Sequence, residues 1–232
     1  MQKVFGYELL FRDGLENCFR ADPEVASRST LDSTLLFGMN TLCDGHRAFV
    51  NCTRDVLFKD LVTLLPPDQT VAEILDTVEP GDRVIAVCKQ LKDAGYLIAL
   101  DDFAPNDPRM SLCDFADIIK IDFRATKVEE RAGLMRRFGT GKRQMLAEKL
   151  ETPQEFRQAR DMGFTLFQGY SVMDAIMEVQ MEVLLAQVPV EKEIKAALLG
   201  QTSKLRPLYQ LMLAQESGEW EQSSQLAKAN AT

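Results

Sequence analysis

Leu97-Ile98-Ala99-Leu100-Asp101-Asp102-Phe103, entered through Gly95-Tyr96, is the stretch that decides the fold. Its apolar run describes a short buried strand, and that strand ends on two adjacent carboxylates. Buried charge without a compensating cation or donor costs several kcal/mol, so such an ending needs a cause. Taken alone, the pair would simply be solvated in the loop that follows. The rest of the chain repeats the arrangement.

Outward from this stretch, the pattern predicts strands over residues 3–11, 47–51, 70–75, 117–122, 144–147 and 164–167. Period-two alternation puts Glu8, Leu10 and Arg12 on one face of the first, and separates Lys120 and Asp122 from Ile119 and Ile121. Helices are expected between them. One opens at Asp22-Pro23, carries Leu31, Leu35, Met39 and Leu42, and stops near Asp44-Gly45. A second covers 55–65, before Pro66-Pro67. A third starts with Pro80 at its first position and closes on Gly95. A fourth covers 128–138, and the last opens with the capping box Thr152-Pro153-Gln154-Glu155 and ends at Gly163.

Strand-helix alternation of this kind implies an α/β fold with a mainly parallel sheet. A (β/α) barrel is favoured over a doubly wound sheet, because polar residues collect at the C-terminal strand ends, the active face of barrels. Seven strands are legible where a closed barrel needs eight. From Ser171 onward only helices are expected, with Met173, Ile176, Met177, Met181, Leu184 and Val188 forming an apolar stripe. The chain thus divides into a barrel over 1–170 and a helical C-terminal extension over 171–232.

The 27 basic and 35 acidic residues give a formal net charge of −8, which disfavours a nucleic-acid polymer or an anionic membrane as partner. Five scattered cysteines without CxxC spacing read as thiols of a reducing cytoplasm. The single histidine, His46, excludes a histidine-based metal site and a Ser-His-Asp triad. No apolar run is long enough for a membrane span, and the N-terminus lacks a signal-peptide pattern, so a cytoplasmic protein is expected.

Glu8, Asn51, Glu73, Asp101, Asp102, Asp122 and Glu148 collect at strand ends, with Lys120 and Gln168. Oxygen donors without imidazole or thiolate suit Mg²⁺ or Mn²⁺. So many converging carboxylates would repel one another without a bound cation. Hard cations beside one lysine point to chemistry on a phosphate ester.

Tyr7-Glu8-Leu9-Leu10-Phe11-Arg12 resembles the E-x-L-x-R signature of EAL domains, which hydrolyse the bacterial messenger cyclic di-GMP. Asn51 in Phe-Val-Asn, Glu73 in Ala-Glu-Ile-Leu-Asp and Asp101-Asp102-Phe103 fit the next motifs in the family's order. Lys120-Ile121-Asp122, Ala147-Glu148-Lys149-Leu150-Glu151 and Gln168-Gly169-Tyr170 fit the remainder. The resemblance implies a TIM-like barrel of the EAL type that lacks its first strand. It implies that Glu8, Asn51, Glu73 and Asp101 hold a first metal, and that Asp102 and Glu148 help hold a second with Asp101 bridging. Lys120 would orient or activate the attacking water, Arg12 would contact a ligand phosphate, and Gln168 would sit at the water and phosphate end. Asp122 and Glu151 would support this set. The implied reaction opens cyclic di-GMP to linear pGpG, and a homodimer is expected. Ala197-Leu198-Leu199-Gly200 and Glu216-Ser217-Gly218-Glu219-Trp220 resemble the last helices of the HDOD module in EAL–HDOD signalling proteins.

Two departures from the family pattern stand out. Active members follow the aspartate pair with a glycine-rich loop resembling D-F-G-T-G, steadied by a glutamate near the third strand. This chain has Phe103-Ala104-Pro105-Asn106-Asp107-Pro108-Arg109, stiffened by two prolines, and Asp76 at the supporting position. Lys149 stands where the family prefers glycine. The alternative to hydrolysis is therefore a degenerate module that binds the nucleotide or a protein partner without turnover.

Overall fold

The computed structural model describes residues 2–9, 27, 30–31, 39–169 and 211–215. Within them eight strands form a closed barrel in sequence order. They are β1 (Gln2–Leu9), β2 (Arg47–Cys52), β3 (Thr70–Ile74), β4 (Leu97–Leu100), β5 (Ile118–Asp122), β6 (Gln144–Glu148), β7 (Leu166–Gln168) and β8 (Leu211–Gln215). β1 to β7 pair parallel, each with the next. The helices between the strands include α1 (Met39–Cys43), α2 (Arg54–Phe58), α3 (Asp82–Asp93), α4 (Val128–Phe138) and α5 (Pro153–Asp161).

β8 corrects the expectation that strands stop at residue 171. It runs antiparallel to both β1 and β7, with Gln2 opposite Gln215 and Leu166 opposite Ala214. A strand from the tail closes the ring between β1 and β7, so the two edges that an open ring would expose are both paired.

Strand parity builds the site. Phe49, Val71, Ala99, Ile118, Leu146 and Leu166 form an apolar plug inside the barrel, apart from the larger cluster between sheet and helices. Side chains two residues further along share the same face. Those residues are Asn51, Glu73, Asp101, Lys120, Glu148 and Gln168. At about 3.3 Å per residue, the polar ring stands one pleat repeat above a dry floor. In β1, Phe5 packs on the floor while Glu8, three residues on, joins the ring. The pairing shifts register between Val4 and Gly6, and a bulge of this kind reverses parity. Gly6 has no room for a side chain there, because a Cβ would stand 2.6 Å from the Arg47 carbonyl oxygen.

Several boundaries differ from the sequence expectations. The helix expected over 55–65 is α2 followed by a 3₁₀ turn at Leu61–Leu64, because Asp60 takes φ 53° and ends the α-helix. Pro80 is not the first helical residue; Gly81 is the N-cap and α3 starts at Asp82. Gly95 does close that helix with φ 93°, after Ala94 at the C-cap. The capping box at α5 is present as read, with Thr152 and Glu155 satisfying each other's backbone N–H groups. Cys43, Cys52, Cys88 and Cys113 are free thiols in the core. Arg12, Cys18, most of the helix read from Asp22, Tyr170 and the apolar stripe beyond Ser171 lie outside the described residues.

Candidate active site

Lys120 is the centre of the ring. Its side chain is 1% exposed, and its ammonium lies 2.7 Å from Asp101 Oδ1, 3.3 Å from Glu148 Oε2 and 3.5 Å from Glu8 Oε2. It also donates to Glu73 Oε1. Four strands and the end of a fifth thus aim charge at one point. Gln168 Nε2 holds Glu8 Oε2 at 2.5 Å, fixing the carboxylate on the far wall. The resulting cavity of about 320 Å³ is lined by Glu8, Asp101, Glu148 and Gln168, with Arg124 and Glu151 at its rim.

Burial pushes the Glu73 carboxyl well above its ordinary range; Lys120 pulls it down, and Glu8 and Asp101 push it up again. Burial likewise raises Glu148, against the pull of Lys120. Burial also acts upward on Asp101, but the Lys120 charge and the hydrogen bonds outweigh it and hold Asp101 low. Burial would lower Lys120, yet Glu148, Glu73, Glu8 and Asp101 together hold it firmly protonated. One ammonium faces four carboxyl groups, so burial and mutual repulsion act against ionising all four together.

The donor set fits a hard divalent cation. Asn51 Oδ1, Glu73 Oε2 and Glu148 Oε1 are buried oxygens that no hydrogen bond from the described residues satisfies. Leaving such acceptors empty is costly, and a cation that takes oxygen ligands would satisfy all three. Oxygens of Asp101, Asp102 and Glu148 also lie within 4.8 Å of one another.

The loop after β4 is held by a residue that the sequence reading passed over. Arg109 is completely buried and forms an ion pair with Asp107 at 2.6 Å. Its guanidinium also donates to the Ile74 carbonyl at 2.9 Å and the Asp101 carbonyl at 2.6 Å. Asp107 caps the 3₁₀ turn Pro108–Leu112 by accepting from the Arg109 N–H. The end of β3, next to Glu73, and the end of β4, at Asp101, are therefore clamped by one side chain. Asp76, expected to support this loop, is exposed and does not line the cavity. The Asp107-Pro108-Arg109 stretch carries a readable turn signal, an aspartate cap before proline.

Asp122 accepts from the Arg124 and Ala125 N–H groups at 2.6 and 3.0 Å, turning the chain after β5. Its other oxygen accepts from Lys149 Nζ at 2.7 Å, and Lys149 also reaches Asp102 Oδ1 at 2.7 Å. Glu151 pairs with Arg124 at the exposed rim. Gly169 lets the end of β7 lie against Leu150, whose carbonyl oxygen would stand 2.0 Å from an added Cβ. Every sequence-derived site residue except Asp76 and the undescribed Arg12 therefore sits in the ring or at its rim.

The family model described as EAL domain matches residues 46–175. "Uncharacterized protein YuxH" of Bacillus subtilis is 40% identical over 176 residues, which is 73% of this chain and 43% of the relative. Cyclic di-GMP phosphodiesterase CdgJ of Vibrio cholerae is 40% identical over 175 residues, 72% of this chain and 40% of the relative. The chain spans less than half the length of both. Klebsiella pneumoniae BlrP1 in a manganese and cyclic di-GMP complex aligns with TM-score 0.51 and 27% identity, covering 62% of this chain and 42% of that one. Its calcium and cyclic di-GMP complex aligns with TM-score 0.50 and 26% identity, over the same shares of the two chains.

Proposed function

We propose that this chain, which belongs to the EAL domain family, hydrolyses cyclic di-GMP to linear pGpG in the presence of Mg²⁺ or Mn²⁺. The observation that carries this reading is the ring around Lys120, where buried carboxylate and amide oxygens remain without a donor among the described residues. The names of CdgJ and of the BlrP1 complexes support the substrate and the need for a divalent cation.

Glu8, Asn51, Glu73, Asp101 and Glu148 would hold the cation, which when bound polarises the phosphoryl group and lowers the pKa of the attacking water. The chain's own groups do the rest. Lys120, held among four carboxylates, would orient the attacking water by its fixed positive charge. Gln168 holds Glu8 in orientation, and Arg109 fixes the backbone of Asp101. The water oxygen bonds to phosphorus, the bond from phosphorus to one ribose 3′ oxygen breaks, and that oxygen leaves as a hydroxyl with the proton the water gives up. A linear dinucleotide with a 5′ phosphate results. The apolar floor of the barrel keeps bulk water from reaching the ring from below.

The clamp at Arg109 favours turnover over a degenerate binding module, because the rewritten loop still anchors the aspartate pair. The test is incubation of purified protein with cyclic di-GMP and Mn²⁺, following pGpG, with Glu8→Ala as control. Product from the wild type and none from the variant is expected. Binding of the nucleotide without product would replace this proposal with a receptor role.

A further inference from the structure

At the rim of the cavity two residues other than glycine take positive φ, Asp102 at 45° and Lys149 at 56°. Aspartate tolerates the left-handed region because its short side chain bonds locally, whereas lysine gains nothing from its own backbone. Glycine would sit at either position without strain. A strained conformation persists where the surroundings fix it, and here the fixing contacts are known. Lys149 reaches across from the end of β6 and donates to Asp102 Oδ1 and Asp122 Oδ2, both at 2.7 Å. Asp102 is also a member of the trio with Asp101 and Glu148 whose oxygens are spaced for one metal ion.

We infer that Lys149 is a built-in counter-ion that takes the place of a second divalent cation at Asp101, Asp102 and Glu148, so that the site works with a single metal. This rests on the reading that the inner carboxylates hold a cation. Two independent observations support it: the ammonium already holds an oxygen of Asp102, a member of the trio, and the residue bears backbone strain that glycine would relieve. An ammonium has three N–H donors and two are spent on carboxylates. Lys149 lines the cavity and is 44% exposed, so the third can meet a phosphoryl oxygen of the substrate. A fixed positive charge then stands where a mobile divalent ion would otherwise bridge protein and phosphate.

The experiment is a titration of the metal-free full chain with Mn²⁺, read by calorimetry and by native mass spectrometry. One Mn²⁺ per wild-type chain is expected, and two per chain of Lys149→Gly and of Lys149→Met, while Lys149→Arg keeps one. Lys149→Gly relaxes the backbone and Lys149→Met keeps the side-chain length, so folding and charge are separated. Two equivalents in the wild type would overturn the inference while leaving the proposed reaction intact, as would one equivalent in both uncharged variants. No bound Mn²⁺ in any of these chains overturns the metal-dependent reading itself, and the counter-ion with it.

Discussion

Two lysines hold the two halves of this site, and their surroundings make them different kinds of parts. Lys120 is buried among Glu8, Glu73, Asp101 and Glu148. Among the described residues Lys149 reaches only Asp102 and Asp122, with nearly half its side chain in water. At about 4 Å a unit charge pair is worth about 1 kcal/mol in water and about 4 kcal/mol at the effective dielectric near a protein surface. The inner ammonium therefore governs whether the ring can exist without metal. The outer one adjusts how the rim is charged.

Removing the inner charge tests that contrast most severely. Lys120→Met is expected to lower pGpG release by about 10²–10³-fold, the usual range for the loss of one preorganised electrostatic group. It leaves buried carboxylates uncompensated, so denaturant unfolding of the metal-free protein should lose about 3–5 kcal/mol. Mn²⁺ at 100 times its dissociation constant should return about 2.7 kcal/mol of that. Unchanged metal-free stability would show that the ring does not depend on this ammonium.

Arg109 extends the inner half into the loop. Arg109→Met strands the Asp107 carboxylate and frees the Ile74 and Asp101 carbonyls, so a loss of about 3 kcal/mol is expected. Adding Asp107→Asn should recover part of it, since the two residues share one network. Additive losses would mean that the ion pair is not what holds the loop. At the outer half the same operation should be mild: Lys149→Gly is expected to shift stability by less than about 1 kcal/mol, as exposed pairs do. A loss as large as that of Lys120→Met would erase the distinction.

The gentlest perturbation is pH. Burial acts to raise Asp122, but its bonds from Lys149, Ala125 and Arg124 outweigh this and hold its carboxyl below the ordinary range. A folded-state value below the unfolded one stabilises the protein above the unfolded pKa of about 3.9, and the gain is lost as pH falls through the lowered value. The Tm gap between wild type and Asp122→Asn should therefore be constant near neutrality and narrow in acid. A gap independent of pH down to the acid transition would assign the stabilisation elsewhere.

Strand ends carried the legible part of this molecule. Period-two alternation in Ile118–Asp122 told which residues share a face, and the same parity in β2, β3, β6 and β7 puts the ring above the plug. The Thr152 capping box was legible because both halves of the bond lie three residues apart. β8 was not. Leu-Met-Leu-Ala-Gln consists of strong helix formers, and its strand state comes from partners between Gln2 and Tyr7 and between Leu166 and Gln168. Arg109 was missed for a similar reason: a lone loop arginine is normally solvated, and only the fold brings the carbonyls of Ile74 and Asp101 to it. Lys149 stood out only as the wrong residue for its place; its bonds to two aspartates, one from β5 and one from the loop after β4, needed the assembled ring.

Closure by β8 also sets a clock on biosynthesis. Gln2 pairs with Gln215, so the first described strand waits for the last described one. At the usual 5–20 residues per second that wait is roughly 10–40 s. Throughout it, the outer edge of β1 is a bare template for any passing strand. A ribosome that stalls before residue 211 would release seven strands with two sticky edges, making this barrel a substrate for holding chaperones until its final stave arrives.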